Sequence, residues 1–183
     1  MKRIKIKDFE IGGGAPLFFI MGPCVIESEI ATLKTLEELL SVTSALKAPF
    51  IFKSSYDKAN RTSVKSYRGP GIKEGLRILK KAKDEFSVPV LTDVHCVQDV
   101  DRVAAIVDII QIPAFLCRQT DIILEAARTG RVINIKKGQF LSPVDIKQSV
   151  DKALSAGNDN IILTERGTSF GYNNLVVDFR ALP

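Results

Sequence analysis

The chain has 183 residues, 45% apolar and 26% charged, the balance of a soluble globular protein of single-domain size. Its net charge of +5 suits a phosphorylated small molecule, and with no Trp and no Arg/Lys run interleaved with aromatics it argues against a nucleic-acid partner. Three cysteines, widely separated and without a CxxC pair, argue against a secreted disulfide framework and for a reducing compartment.

The first residues, MKRIKIKDFEIGGG, alternate Lys with Ile and lack the apolar core of a signal peptide. The early apolar run Leu17 to Met21 is far too short to span a bilayer, so a cytoplasmic protein without membrane contact is expected. Ile4, Ile6 and Phe9 predict an N-terminal strand or hairpin within residues 1–16. Leu17 to Ile26, broken by Gly22-Pro23, reads as a strand buried on both faces. Ser28 can cap a helix whose apolar face is Ile30, Leu33, Leu36, Leu40 and Leu46.

The alternation then repeats. Strand Phe50 to Phe52 leads through a polar loop to a helix with Ile72, Leu76, Leu79 and Phe86 on one face. Strand Val88 to Thr92 precedes a short helix carrying Val100, Val103, Ala104 and Val107. Strand Ile109 to Ile112 ends at Pro113, and a helix from Asp121 to Thr129 is closed by Gly130. Strand Val132 to Ile135, a helix from Pro143 to Ala156 ending at Gly157, and strand Ile161 to Thr164 complete the pattern. Apolar strands alternating with amphipathic helices define an α/β chain of parallel βαβ units in one domain, 1–183. Two closed choices remain, an open doubly wound sheet or a β/α barrel. Gly22-Pro23-Cys24-Val25-Ile26-Glu27 is no dinucleotide fingerprint. Polar residues after every strand favour the barrel, although a barrel needs eight strands and six are visible, with Asn174 to Pro183 a seventh element at most.

Those strand ends supply the chemistry. Cys24 follows the first strand, and Lys53 opens FKSSYDKANRTS after the second. Asp93 and His95 follow the third, Gln111 ends the fourth, Lys136 follows the fifth and Arg166 the sixth. Cations recurring at equivalent positions favour a substrate bearing phosphate, or two such substrates. Cys24 has three readings: a buried small residue, a nucleophile wanting His95, or a metal ligand short of partners. Cys96 and Cys117 match no motif and read as core residues or residues supporting the site. Lys136 could instead form a Schiff base with a carbonyl substrate, although Lys137 and the other cations fit phosphate binding equally well.

Several stretches are long enough to carry a resemblance: GPCVIES (Gly22 to Ser28), FKSSYDKANRTS (Phe52 to Ser63), SYRGPG (Ser66 to Gly71), TDVH (Thr92 to His95), QIPAFLCRQTD (Gln111 to Asp121), NIKKGQF (Asn134 to Phe140) and TERGTSFGYNNLVVD (Thr164 to Asp178). They resemble the 3-deoxy-D-manno-octulosonate 8-phosphate synthases, with KANR at Lys58 to Arg61 the most telling; the related 3-deoxy-arabino-heptulosonate 7-phosphate synthases carry a KPRT-type motif there. The resemblance implies a (β/α)8 TIM barrel that condenses phosphoenolpyruvate with arabinose 5-phosphate and water, releasing phosphate, on the route to lipopolysaccharide. Matched motif by motif, it implies that Lys53, Lys58, Gln111, Lys136 and Arg166 hold phosphoenolpyruvate, and that Asn60, Asp93 and Ser55 hold the sugar. Arg61 and Thr62 would reach the sugar phosphate bound by a neighbouring subunit of a homotetramer. Cys24 implies the metal-dependent branch, with a divalent metal such as Zn, Fe or Mn whose other ligands, a His, a Glu and an Asp, come from later strands. The chain is therefore expected to be a C-terminally incomplete barrel of six strands, with an inactive, binding-only form as the rival outside the class.

Overall fold

Ser28 shows how local chemistry starts this fold: its hydroxyl accepts the Ala31 N–H at 3.2 Å and caps helix α1, Glu29–Ala45. The computed structural model describes residues 2–182, so Met1 and Pro183, the ends of the expected domain, lie outside the described residues. Two compact units make up the chain, Met1–Asp93 with Ala105–Ile109, and Val94–Ala104 with Ile110–Pro183.

The first unit begins with the predicted hairpin, β1 (Ile4–Ile6) and β2 (Phe9–Ile11), antiparallel with Ile6 opposite Phe9. Next come β3 (Phe19–Met21), α1, β4 (Phe50–Lys53), α2 (Ile72–Phe86) and β5 (Val90–Asp93). Strands β3, β4 and β5 are parallel neighbours in chain order, with Phe19 opposite Phe50 and Phe52 opposite Val90. Phe50, Ile51 and Phe52 are buried, as a strand covered on both faces requires.

Two expectations fail here. The predicted Leu17 to Ile26 strand shrinks to three residues, because Gly22 turns the chain at φ +151 and a Cβ there would stand 2.0 Å from the Lys53 carbonyl oxygen. That strand is also not buried on both faces, since β3 lies at the end of the strand order and Phe19 is 42% exposed. On α1 the buried stripe is Thr32, Leu36 and Thr43, whereas Ile30 and, just past the helix end, Leu46 face solvent. Thr32 and Thr43 can be buried because their hydroxyls donate to the Ser28 and Leu39 carbonyls, at 2.7 and 2.8 Å. Helix α2 follows the expected face, adding Ile78 and Ala82 to Leu76 and Leu79.

Glu29 joins the two helices by accepting from Lys81 at 2.5 Å and from Arg77. Hydrogen bonding to Lys81, then to Arg77, pulls its carboxyl from 4.5 down to about 2. A carboxylate lowered on folding stabilises fully above the unfolded value near 4.5, and that contribution is lost as pH falls towards 2. Glu29→Gln should therefore lower the melting midpoint at neutral pH and flatten its fall between pH 4.5 and 2. Thermal melts across that window check this, and parallel curves would remove Glu29 from acid unfolding.

The second unit holds α3 (Val100–Ala104), most of β6 (Ile109–Ile112), α4 (Thr120–Arg128), β7 (Val132–Lys136), α5 (Lys147–Ser155) and β8 (Ile161–Thr164). Strands β6, β7 and β8 again follow chain order, with Lys136 opposite Thr164 in a parallel register. The helix predicted from Pro143 begins as a 3₁₀ turn, Val144–Ile146, and becomes α-helical at Lys147. No seventh parallel strand follows among the described residues: Leu175–Val176 (β10) folds back antiparallel on Thr168–Ser169 (β9). Six parallel strands alternating with helices are the βα units of a β/α barrel, as expected, preceded by a small hairpin.

Candidate active site

In the first unit the chemistry gathers where β4 and β5 end. Ser54 donates to the Pro23 carbonyl at 3.0 Å, Thr92 donates to the Ser54 carbonyl at 2.7 Å, and Ile26 N–H donates to the Ser55 carbonyl at 3.0 Å. These bonds fix the backbone under Ser55, whose buried hydroxyl accepts from Lys53 Nζ at 2.7 Å and donates to Asp93 Oδ2. Lys53 also donates to the Cys24 carbonyl at 3.2 Å. Lys53 Nζ and Lys58 Nζ each lie 3.8 Å from Asp93 Oδ2, with Asp93 buried. Two ammonium groups sharing one carboxylate leave a net positive site, poised for an anion.

The FKSSYDKANRTS loop divides at Lys58. Its first part turns inward, held by the Arg68–Asp57 pair and by Lys58 N–H donating to the Arg68 carbonyl at 2.6 Å. Asn60, Arg61 and Thr62 are exposed, with Arg61 Nε donating to the Tyr67 carbonyl at 3.1 Å. Cys24 is exposed too, which removes its reading as a buried apolar residue. Among the described residues no three His, Cys, Asp or Glu side chains stand together as a metal site needs. The donors here therefore do not complete a metal centre around Cys24.

In the second unit, Gln111, Lys136 and Arg166 stand at the ends of or just past β6, β7 and β8. Gln111 is buried and its Oε1 accepts from Asn134 Nδ2 at 2.9 Å. Asn134 Oδ1 in turn accepts from Thr164 Oγ1 at 2.7 Å. This polar chain orients the Gln111 amide within an apolar strand layer, where an unpaired amide would be costly. Lys136, Arg166 and His95 are partly exposed.

Lys137 departs from the sequence reading. It is 2% exposed, so it is no phosphate-binding surface cation. Its neighbour Glu165 and the Asn134–Thr164 pair were also missed, because which side chains meet here depends on how β7 and β8 pair. Cys117 is buried as expected and its sulfur accepts the Gly138 N–H at 3.3 Å. Cys96 is exposed, since it precedes a 3₁₀ turn at the surface and has no core to enter.

A β/α scaffold with cationic strand ends is that of a barrel enzyme acting on phosphorylated substrates. The profile of the DAHP synthetase I family matches residues 2–183, and the chain belongs to that family. It is 59% identical over 183 residues to a 2-dehydro-3-deoxyphosphooctonate aldolase of Geotalea daltonii and 58% identical to one of Geotalea uraniireducens, covering 100% of this chain and 67% of each relative. The protein of that name from Geobacter sulfurreducens is 56% identical over 182 residues, with the same shares covered. No helix among the described residues is long and apolar enough to cross a membrane.

Proposed function

We propose that this chain carries the catalytic machinery of a 3-deoxy-D-manno-octulosonate 8-phosphate synthase, the activity its relatives' name describes. The observation that supports the reading is 56–59% identity, across the chain, to proteins named 2-dehydro-3-deoxyphosphooctonate aldolase. A heptulosonate-type activity is not favoured by these relatives.

The substrates are phosphoenolpyruvate and arabinose 5-phosphate. Carbon 3 of phosphoenolpyruvate bonds to the aldehyde carbon, whose oxygen takes up a proton. Water adds to carbon 2, and the bond from carbon 2 to the phosphate oxygen breaks to release inorganic phosphate. Lys53, Lys58, Gln111, Lys136 and Arg166 hold phosphoenolpyruvate, with Lys136 and Arg166 neutralising its phosphate. Together the substrates bring roughly four negative charges or more, which the fixed cations of this ligand set offset. Ser55, Asn60 and Asp93 hold the sugar chain. The exposure of Arg61 and Thr62 suits a role towards sugar phosphate bound in a neighbouring subunit of a homotetramer. Among the described residues Cys24 is the candidate ligand for a divalent metal. The setting is cytoplasmic.

A turnover assay tests the reading. Phosphate release from phosphoenolpyruvate should require arabinose 5-phosphate; equal release with erythrose 4-phosphate would sink the substrate assignment. Repeating the assay after chelation bears on Cys24, because undiminished turnover would leave its thiol without a metal role.

A further inference from the structure

We propose that Lys137 is a positioning residue, whose buried ammonium acts with Glu165 to set the backbone that presents Lys136 and Arg166 to the anionic substrate. Lys137 follows Lys136 directly, so the two side chains leave adjacent positions of one extended segment in different directions. The Lys137 N–H donates to the Thr164 carbonyl at 2.9 Å, continuing the β7–β8 ladder by one residue. The side chain turns inward. Its Nζ donates to the carbonyls of Gly167 at 2.8 Å, Leu141 at 2.9 Å and Gly138 at 3.2 Å, and to Thr168 Oγ1 at 3.2 Å.

Glu165 Oε1 lies 3.4 Å from the same ammonium. That oxygen also accepts the backbone N–H groups of Arg166 at 2.8 Å and Gly167 at 2.5 Å. Arg166 therefore sits on a peptide turn held from both sides. Glu165 takes its N–H groups and Lys137 takes the carbonyl just after it. The same ammonium also closes the loop after Lys136 through Leu141 and Gly138, so one buried cation sets the segments bearing both Lys136 and Arg166.

A simpler fold would not need this arrangement. Burying an ammonium and a carboxylate is costly, and well-packed apolar residues usually replace such a pair without loss of stability. Here three of the four hydrogen bonds from the ammonium, and both N–H groups accepted by Glu165, instead fall on backbone of the segments that follow Lys136 and bear Arg166. Groups that hold a metal-ligating residue in place typically alter affinity about 10- to 100-fold when removed, and the same order is expected for residues that hold a phosphate ligand in place.

The inference rests on the substrate reading above, and calorimetric titration of phosphoenolpyruvate separates the two. Lys137→Met keeps the stem and removes the ammonium; Glu165→Ala removes the acceptor while leaving Lys137 its carbonyls. Each variant, titrated well below its own melting midpoint, should bind phosphoenolpyruvate about tenfold or more weakly than the parent. A purely structural Lys137 would lower the melting midpoint and leave the folded protein's affinity unchanged, which overturns the inference. Should Lys137→Met fail to fold, Glu165→Ala decides alone: weakened binding supports the role and parental affinity overturns it. If the parent chain itself binds no phosphoenolpyruvate, the substrate reading falls and takes this inference with it.

Discussion

Lys53→Met is expected to weaken phosphoenolpyruvate binding by about 10- to 150-fold, the equivalent of roughly 1.5–3 kcal/mol for one hydrogen bond to a charged group. Met retains the length and apolar body of the lysine stem, so the change isolates the ammonium. That ammonium already bonds the Cys24 carbonyl and Ser55 Oγ, and so enters binding pre-positioned. Stability should suffer less than affinity. Asp93 keeps the Ser55 hydroxyl and the Lys58 ammonium, which spares it much of the roughly 3–5 kcal/mol cost of a stranded buried charge. Calorimetric titration beside a thermal melt reads both quantities. Parental affinity in the variant would remove Lys53 from the proposed ligand set.

The members of this cluster were legible as strand-end residues, but their contacts with one another were not, for a geometric reason. Ser55 and Asp93 are 38 residues apart and meet only because β4 and β5 are parallel neighbours. A strand end can be read from sequence, but the partner of its side chain depends on strand order. Strand β6 was fully legible, Ile109–Ile112, because three isoleucines lie between Asp108 and Pro113. The buried face of α1 was not, because threonines that bond back to their own helix can be buried while Ile30 and Val42 of the same helix stay exposed. Lys137 misled for a related reason. A lysine is read as surface by default, and only the carbonyls brought around it by the loops after β7 and β8 let it enter the interior.

Asp93→Ala should separate the two substrates. Its carboxylate is the shared counter-charge of Lys53 and Lys58, each at 3.8 Å, so its loss leaves both cations less neutralised. Phosphoenolpyruvate, an anion, should then bind at least as tightly as to the parent. Condensation should nevertheless fall by about 10²-fold, the order lost when a reacting partner is misplaced by about 1 Å. The proposed sugar contact disappears with the carboxylate, and the Ser55 hydroxyl loses the acceptor that orients it. Asp93→Asn distinguishes charge from hydrogen bonding, because the amide oxygen can still accept from Ser55 while the negative charge is gone. If geometry dominates, Asn restores part of the turnover lost in Ala; if charge dominates, the two variants are equally slow. Titration calorimetry with phosphoenolpyruvate and a phosphate-release assay supply the two measurements. An equal loss of phosphoenolpyruvate affinity and turnover in Asp93→Ala would confine Asp93 to organising the lysines and deny it any part in holding the sugar.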